Sequence, residues 1–271
     1  MDTMTLVYIA VLASVIVGIS LVGMRYRYKQ RLQRQAVGLS WLQSMRQLLS
    51  HIQQHRGLTN GFLNGGQDLL KDIHPLQRTI SIDINKISQI DSWIESNERW
   101  HSITQHWARL AGGFENNKPD NNLTQHNNLI QSVLYLIDDM AQAHDLLLLK
   151  DEKNRPFHLS WRELLSAAEY IGQARAIGTG VSAAGSCDSV SRIRLNYLCQ
   201  KITENTSRVW QDIRPSESQR QSVDKLLSCI NEHVVREHIS LPATEFFEIA
   251  SHALDSLHEQ YDTLVEAKRW Q

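Results

Sequence analysis

Apolar residues along this chain recur three and four positions apart between short polar breaks and almost nowhere alternate one with one. That spacing belongs to amphipathic helices rather than strands. It predicts helices at about 4–64, 68–97, 99–114, 123–150, 158–184, 188–211, 215–239 and 243–268, with ends good to a few residues. The breaks have their own chemistry. Gly65-Gly66 stops the first helix, and ENNKPDNN at 115–122 and DEKNRP at 151–156 are polar, proline-bearing connectors. Pro215 and Pro242 suit first helical turns, where a missing N–H costs little. Short connectors between antiparallel neighbours give an all-α fold, expected as two up-down four-helix bundles sharing one or more helices.

One stretch departs from the amphipathic pattern. Residues 6–24 (LVYIAVLASVIVGISLVGM) carry no charge and are about as long as a helix needs to cross hydrocarbon. Arg25, Arg27, Lys29, Arg31 and Arg34 follow at once, while no Lys or Arg precedes the run. By the positive-inside rule the C-terminal bulk is expected in the cytoplasm, on a single-pass anchor through the bilayer of the cytoplasmic (inner) membrane. The missing basic residues before the run, and the missing small-residue cleavage site after it, argue against a cleaved signal peptide. The chain is therefore expected to divide into an anchor with its basic juxtamembrane segment at 1–35 and a helical domain at 36–271. Together these fill the chain, so a separate signalling protein of unknown identity is expected to read its state. A homodimer through the first helix is expected as well.

Composition removes several functions. Lys plus Arg total 28 against 29 Asp plus Glu, so nothing calls for a nucleic-acid partner. Cys187, Cys199 and Cys229 are odd in number and form no CxxC pair, which fits buried free thiols in a reducing compartment. No phosphate-cradling glycine loop, GxSxG turn or kinase motif set is present, so no enzyme and no cofactor are expected. His51 and His55 share a helical face, but no third ligand accompanies them and no metal is expected. His55 reads as a solvated surface histidine, or as a second contact for an anion beside Arg56. Asp83, Asp138-Asp139 and Asp151-Glu152 read as solvated carboxylates. Trp93, Trp100 and Trp107, seven apart, read as a helix-packing stripe in the core.

The informative anomaly is a pair of arginines. Leu42, Met45, Leu49, Ile52, Arg56, Thr59 and Leu63 form a seam spaced three and four, with a guanidinium where an apolar side chain belongs. Leu164, Ala168, Ile171, Arg175, Gly178 and Ser182 repeat the arrangement. Aligning QHRGLTNGFLNGG at 54–66 with QARAIGTGVSAAG at 173–185 keeps the Gln, the Arg, a central Gly and a terminal Gly. A buried guanidinium needs its charge matched. Yet the four residues on either side of Arg56 and of Arg175 include no Asp or Glu. Either another helix supplies carboxylates and the protein is a membrane-tethered scaffold with internally paired arginines, or a small oxyanion lies between the two forks of donors. Gly57, Thr59, Gly61, Gly172, Gly178, Thr179 and Gly180 leave room for the second arrangement.

Gln53-Gln54-His55-Arg56-Gly57-Leu58-Thr59 followed by Phe62-Leu63 resembles the first motif of the nitrate- and nitrite-sensing (NIT) domain family. Gly172-Gln173-Ala174-Arg175-Ala176 looks like that family's second arginine motif, and the stretch from Phe246-Phe247 to Leu264 resembles its closing helix. The resemblance covers roughly 40–268 and implies an all-helical sensor whose motif arginines bind nitrate or nitrite where two bundles meet. It implies that role for Arg56 and Arg175; Gln53, Gly57, Thr59 and Thr179, their neighbours along the two helices, are expected to line the anion with them. The family often has Glu just before each motif arginine; this chain has His55 and Ala174 there.

Overall fold

The computed structural model describes residues 3–269, so the outer limits of the two expected segments, residues 1 and 271, lie outside the described residues. Eight α-helices account for most of them: α1 (Thr3–Leu63), α2 (Leu70–Ile87), α3 (Glu98–Gly113), α4 (Pro119–Ala143), α5 (Phe157–Ala184), α6 (Ser189–Asp212), α7 (Glu217–Cys229) and α8 (Ala243–Arg269). Their starts follow from local chemistry. Asn97 accepts the Trp100 N–H ahead of α3, Pro119 opens α4, Asp188 caps α6, and Ser216 with Gln219 forms a capping box on α7.

α1 is one helix of 61 residues, about 90 Å at the usual rise. Near its start lies an 18-residue window of mean hydropathy 2.4, none of it covered by the rest of the protein. Among the described residues this is the one helix long and apolar enough to cross a membrane. From Leu39 onward α1 turns inward, and Trp41, Leu42, Met45, Leu48, Leu49 and Ile52 are wholly buried. This half packs on α2, α4, α5 and α8; α3 leans on α4, α6 on α5, and α7 on α8. α4 and α5 both rest on α1 but scarcely touch each other, and grooves run between them.

The two repeated segments face one another. Asn60 Nδ2 donates to the Ala176 carbonyl at 2.7 Å, and the Thr179 methyl packs on Gly61. These pairs keep a nearly constant sequence offset, so α1 and α5 run parallel with the duplicated stretches in register. α8 runs antiparallel to α1: Tyr261 Oη donates to the Leu42 carbonyl at 3.2 Å, and Phe247 sits beside Gly57.

Several sequence expectations need correction. The helix expected over 68–97 stops at Ile87, because Asp91 is drawn into a hub. Its Oδ1 takes the Trp93 N–H, while Oδ2 accepts from Trp41 Nε1 at 3.2 Å and pairs with His144 Nε2 at 2.9 Å. Trp93 therefore lies in the connector, edge-on to Trp41, and only Trp100 and Trp107 share a helix. The helix expected to 150 ends at Ala143, where Asp145 turns the chain with φ 57°. The one expected to 239 ends at Cys229 in a π-turn, Ile230–Val234. Asp83 is buried, not solvated: it falls within the apolar stripe of α2 between Ile80 and Ile87 and meets His51 Nδ1 at 2.5 Å.

Candidate functional site

Arg56 is completely buried on α1. Its Nη1 donates to Glu169 Oε1 at 2.7 Å and to Asn127 Oδ1 at 2.6 Å, and its Nη2 donates to Glu169 Oε2 at 3.2 Å. Glu169 accepts two more bonds, from Gln53 Nε2 at 2.7 Å and Gln173 Nε2 at 2.9 Å. The carboxylate that the neighbourhood of Arg56 lacks thus comes from α5, six residues before Arg175. Close approach is built in: a β-carbon on Gly172 would stand 2.7 Å from Arg56 Nη2.

Arg175 is equally enclosed but matched differently. Its Nη1 donates to Ser251 Oγ on α8 at 2.8 Å, and its guanidinium lies over the Phe247 ring, 4.8 Å from the centroid. Nε and Nη2 find no acceptor among the described residues. Burial, with the Arg56 charge added, pushes this arginine down to about 9; Asp255 and Glu169 act against that fall. The site therefore stays charged at neutral pH while missing two acceptors. The lack of a side chain at Gly57 lets the Phe247 ring lie against α1 beside this arginine: a β-carbon there would lie 2.8 Å from the ring and 3.6 Å from Arg175 Nε.

The remaining expected site residues serve these two. Gln53 commits its amide N–H to Glu169. Thr59 Oγ1 donates back to the His55 carbonyl at 2.7 Å and accepts from Asn122 Nδ2 at 3.0 Å. Thr179 Oγ1 donates back to the Arg175 carbonyl at 2.7 Å. Neither hydroxyl proton is free for a ligand.

His55 is not a surface histidine; it is fully buried among Trp107, Phe114 and His126. Its protons can be placed by exclusion. His126 Nδ1 faces the Asn122 carbonyl at 2.8 Å and must donate, so His126 Nε2 accepts from His55 Nδ1 at 2.8 Å. His55 Nε2 is left to accept from Gln77 Nε2 at 3.1 Å. Both rings are neutral: burial holds His55 down at about 3 and His126 well below its ordinary value, each lowered further by a neighbouring histidine. His55 thus belongs to a neutral relay behind Arg56 and offers an anion nothing.

Sequence reasoning missed Glu169, Asn127, Ser251 and Phe247 as partners of the arginines. Phe247 lies inside the stretch that resembles the closing helix, and Glu169 stands six residues before Arg175, more than one helical turn away. The grooves beside α4 and α5 reach only the arginines' partners. One of about 540 Å³ is lined in part by Asn127 and Gln173, and another of about 300 Å³ by Glu169 and Gln173. No group of three or more metal-binding side chains occurs among the described residues. The three thiols are buried and unpaired, and burial pushes Cys199 up to about 11.

No curated protein matches the chain by sequence. In three dimensions it is similar to the structure of the NasR transcription antiterminator, with a TM-score of 0.64 at 14% identity over 93% of this chain and 72% of that one. At that identity the likeness speaks for the shared fold. The family described as nitrate and nitrite sensing matches residues 47–267, a span holding both arginines, Glu169, Phe247 and Ser251. On that match the chain belongs to the nitrate- and nitrite-sensing (NIT) family.

Proposed function

We propose that this protein is a membrane-anchored sensor that binds nitrate or nitrite at the crossing of α1 and α5 and passes the change to a separate signalling partner. The observation that carries this reading is the unmatched edge of Arg175. Nε and Nη2 form the side of a guanidinium that grips a planar oxyanion through two parallel bonds. The same edge of Arg46 shows the grip made, with Nε on Asp262 Oδ1 at 2.9 Å and Nη2 on Asp262 Oδ2 at 2.7 Å. Nitrate and nitrite present two oxygens on one atom as a carboxylate does.

Within this reading Arg175 contacts the anion, Arg56 stands beside it neutralised by Glu169, and Gly57 admits the Phe247 ring that backs the guanidinium. Gln53 steadies Glu169, while Thr59 and Thr179 shape the crossing. An anion drawing α5 and α8 together around Arg175 acts on α1 as well, since Phe247 touches Gly57. On a two-bundle reading of the helices, the anion would sit where the bundles meet, at the packing of α1 on α5 and α8. α1 then carries the displacement along a continuous helix to the apolar segment. A ligand moves such an equilibrium only through its different affinity for the two arrangements, and charge neutralisation supplies that difference.

The scaffold reading is favoured by one observation, the Arg56–Glu169 pair, and it leaves Arg175 without explanation. Thermal unfolding of the full chain in non-ionic detergent separates the two. Nitrate or nitrite at a hundred times the dissociation constant should stabilise by about 2.7 kcal/mol, a rise of several degrees over chloride at equal ionic strength. No anion-specific rise would leave the scaffold.

A further inference from the structure

We propose that Glu169 sets the charge class of the ligand: by neutralising Arg56 it leaves one uncompensated guanidinium at the crossing, so the site takes a monovalent planar oxyanion and rejects a dianion. This rests on the anion-binding reading above and deepens it.

The charges can be counted element by element. α1 brings Arg56, and α5 brings Glu169 and Arg175. α4 brings no charge, only Asn127 and the neutral His126. α8 brings Asp255, which reaches water and acts on Arg175 only through space, from outside the enclosed set, with no hydrogen bond to it. The enclosed set is two cations and one anion, a net single positive charge. Nitrate or nitrite closes it to zero. Sulfate would leave a buried excess negative charge, the costly arrangement for groups removed from water.

Glu169 is fixed in this duty. Its two oxygens accept from Arg56 Nη1, Arg56 Nη2, Gln53 Nε2 and Gln173 Nε2, which fills the acceptor capacity of an ionised carboxylate. Arg175, six residues further along α5, feels both members of the pair: burial lowers its proton affinity most, the Arg56 charge lowers it further, and Glu169 opposes that fall. Glu169 also lines the groove between α4 and α5, so a substitution there meets open space on one side.

The test is an anion panel on the full chain in non-ionic detergent, comparing sodium nitrate with sodium sulfate at matched ionic strength. Melting temperature and calorimetric affinity are the readouts. The wild type should respond to nitrate and not to sulfate. Glu169→Gln raises the enclosed charge by one and should lower the nitrate-to-sulfate affinity ratio at least ten-fold. Glu169→Asp keeps the charge and should keep the preference. A folded Glu169→Gln protein with the wild-type ratio would overturn the proposal.

If Glu169→Gln fails to fold, Arg56 carries the test from the other side. Arg56→Gln leaves a net charge of zero and should lose nitrate, while Arg56→Gln with Glu169→Gln restores a single positive charge and should bind nitrate over sulfate again. Nitrate binding that survives the single change, or fails to return in the double, would overturn the proposal. A wild type that takes both anions alike sinks this inference alone. One indifferent to every anion sinks the sensor reading, and this inference with it.

Discussion

Arg56 is gripped by Glu169 through two nitrogens, at 2.7 and 3.2 Å, whereas Arg175, which holds the equivalent place in the repeated segment, reaches only the hydroxyl of Ser251. Two arginines that look alike in sequence therefore have opposite energetic roles. One is half of a satisfied buried pair, and the other is a buried charge that the protein leaves partly unmatched.

That asymmetry predicts opposite effects of truncation in the absence of added anion. Arg56→Met strands Glu169 among its amide donors and should cost about 3–5 kcal/mol. Arg175→Met removes an unmatched charge and should leave the apo protein equally or more stable. Denaturant unfolding of both variants in chloride buffer checks this. Equal large losses would mean that Arg175 has a charge partner after all.

Buried neutral histidines predict acid lability. His55 and His258 are each held down at about 3 by burial, aided at His258 by Arg46, Arg175 and His51. Their folded values lie below the unfolded value of about 6.5, so the unfolded chain binds more protons between those limits. The stability they permit is complete above pH 6.5 and falls as pH drops toward 3. Each histidine contributes a slope of about 1.4 kcal/mol per pH unit. With His126, which burial also holds well below its ordinary value, unfolding at pH 5 should take up about three protons more than at pH 8, read as the slope of unfolding free energy against pH. His258, whose ring nitrogens have no partner, gives the control. His258→Leu should remove about one of those protons and stabilise the fold, since an apolar isostere needs no hydrogen bonds. An unchanged slope in that variant would contradict its buried neutral state.

The fold was legible where structure is local, and the site only in part. The start of α6 at Asp188 is written in its own capping side chain, and the seam spacing marked the buried faces of α1 and α5; Pro119, expected in a connector, instead opens α4, and Pro215 and Pro242 stand just before α7 and α8 rather than inside their first turns. The arginines stood out because a charge interrupts an apolar seam. Their partners did not, because Glu169 meets Arg56 across 113 positions, a distance that no window of helical neighbours spans. The burial of His55 was hidden for the same reason. Its rings of contact, Trp107 and Phe114, arrive from another helix and its following turn, and polarity alone sends a histidine to the surface. The break at Asp91 depends on Trp41 and His144, again remote in sequence.

Gly57 is the residue most constrained by the crossing. A methyl group there would enter the Phe247 ring at 2.8 Å, and the ring cannot yield without leaving Arg175. Gly57→Ala should therefore destabilise by about 1–3 kcal/mol through overpacking, despite a helix-propensity gain of about 1 kcal/mol. Under the sensor reading it should also weaken nitrate binding, because the stack that holds the guanidinium is displaced. Gly112→Ala, with open space around the added carbon, is the matched control and should gain stability. A Gly57→Ala protein as stable as that control would show that the ring moves freely.

Under the sensor reading, the orientation of α1 in a membrane would decide which compartment supplies the anion. Arg25, Arg27, Lys29, Arg31 and Arg34 stand on the bundle side of the apolar segment, exposed along the single helix. Such a cluster is retained in the cytoplasm during insertion, so the bundle should face inward. The distance makes the arrangement mechanical. From Arg25 to Arg56 the helix runs unbroken for about 45 Å, which under the sensor reading would set the anion site well clear of the lipid surface while leaving it rigidly joined to the apolar segment. Fusing reporters after Gln271 tests the orientation: a cytoplasm-active fluorescent protein should be bright, and a phosphatase active only after export should be silent. Replacing all five basic residues by glutamine should weaken the bias and allow some export activity. An active exported phosphatase on the unaltered chain would reverse the topology, place the site outside the cytoplasm, and remove the reducing environment that keeps Cys187, Cys199 and Cys229 as free thiols.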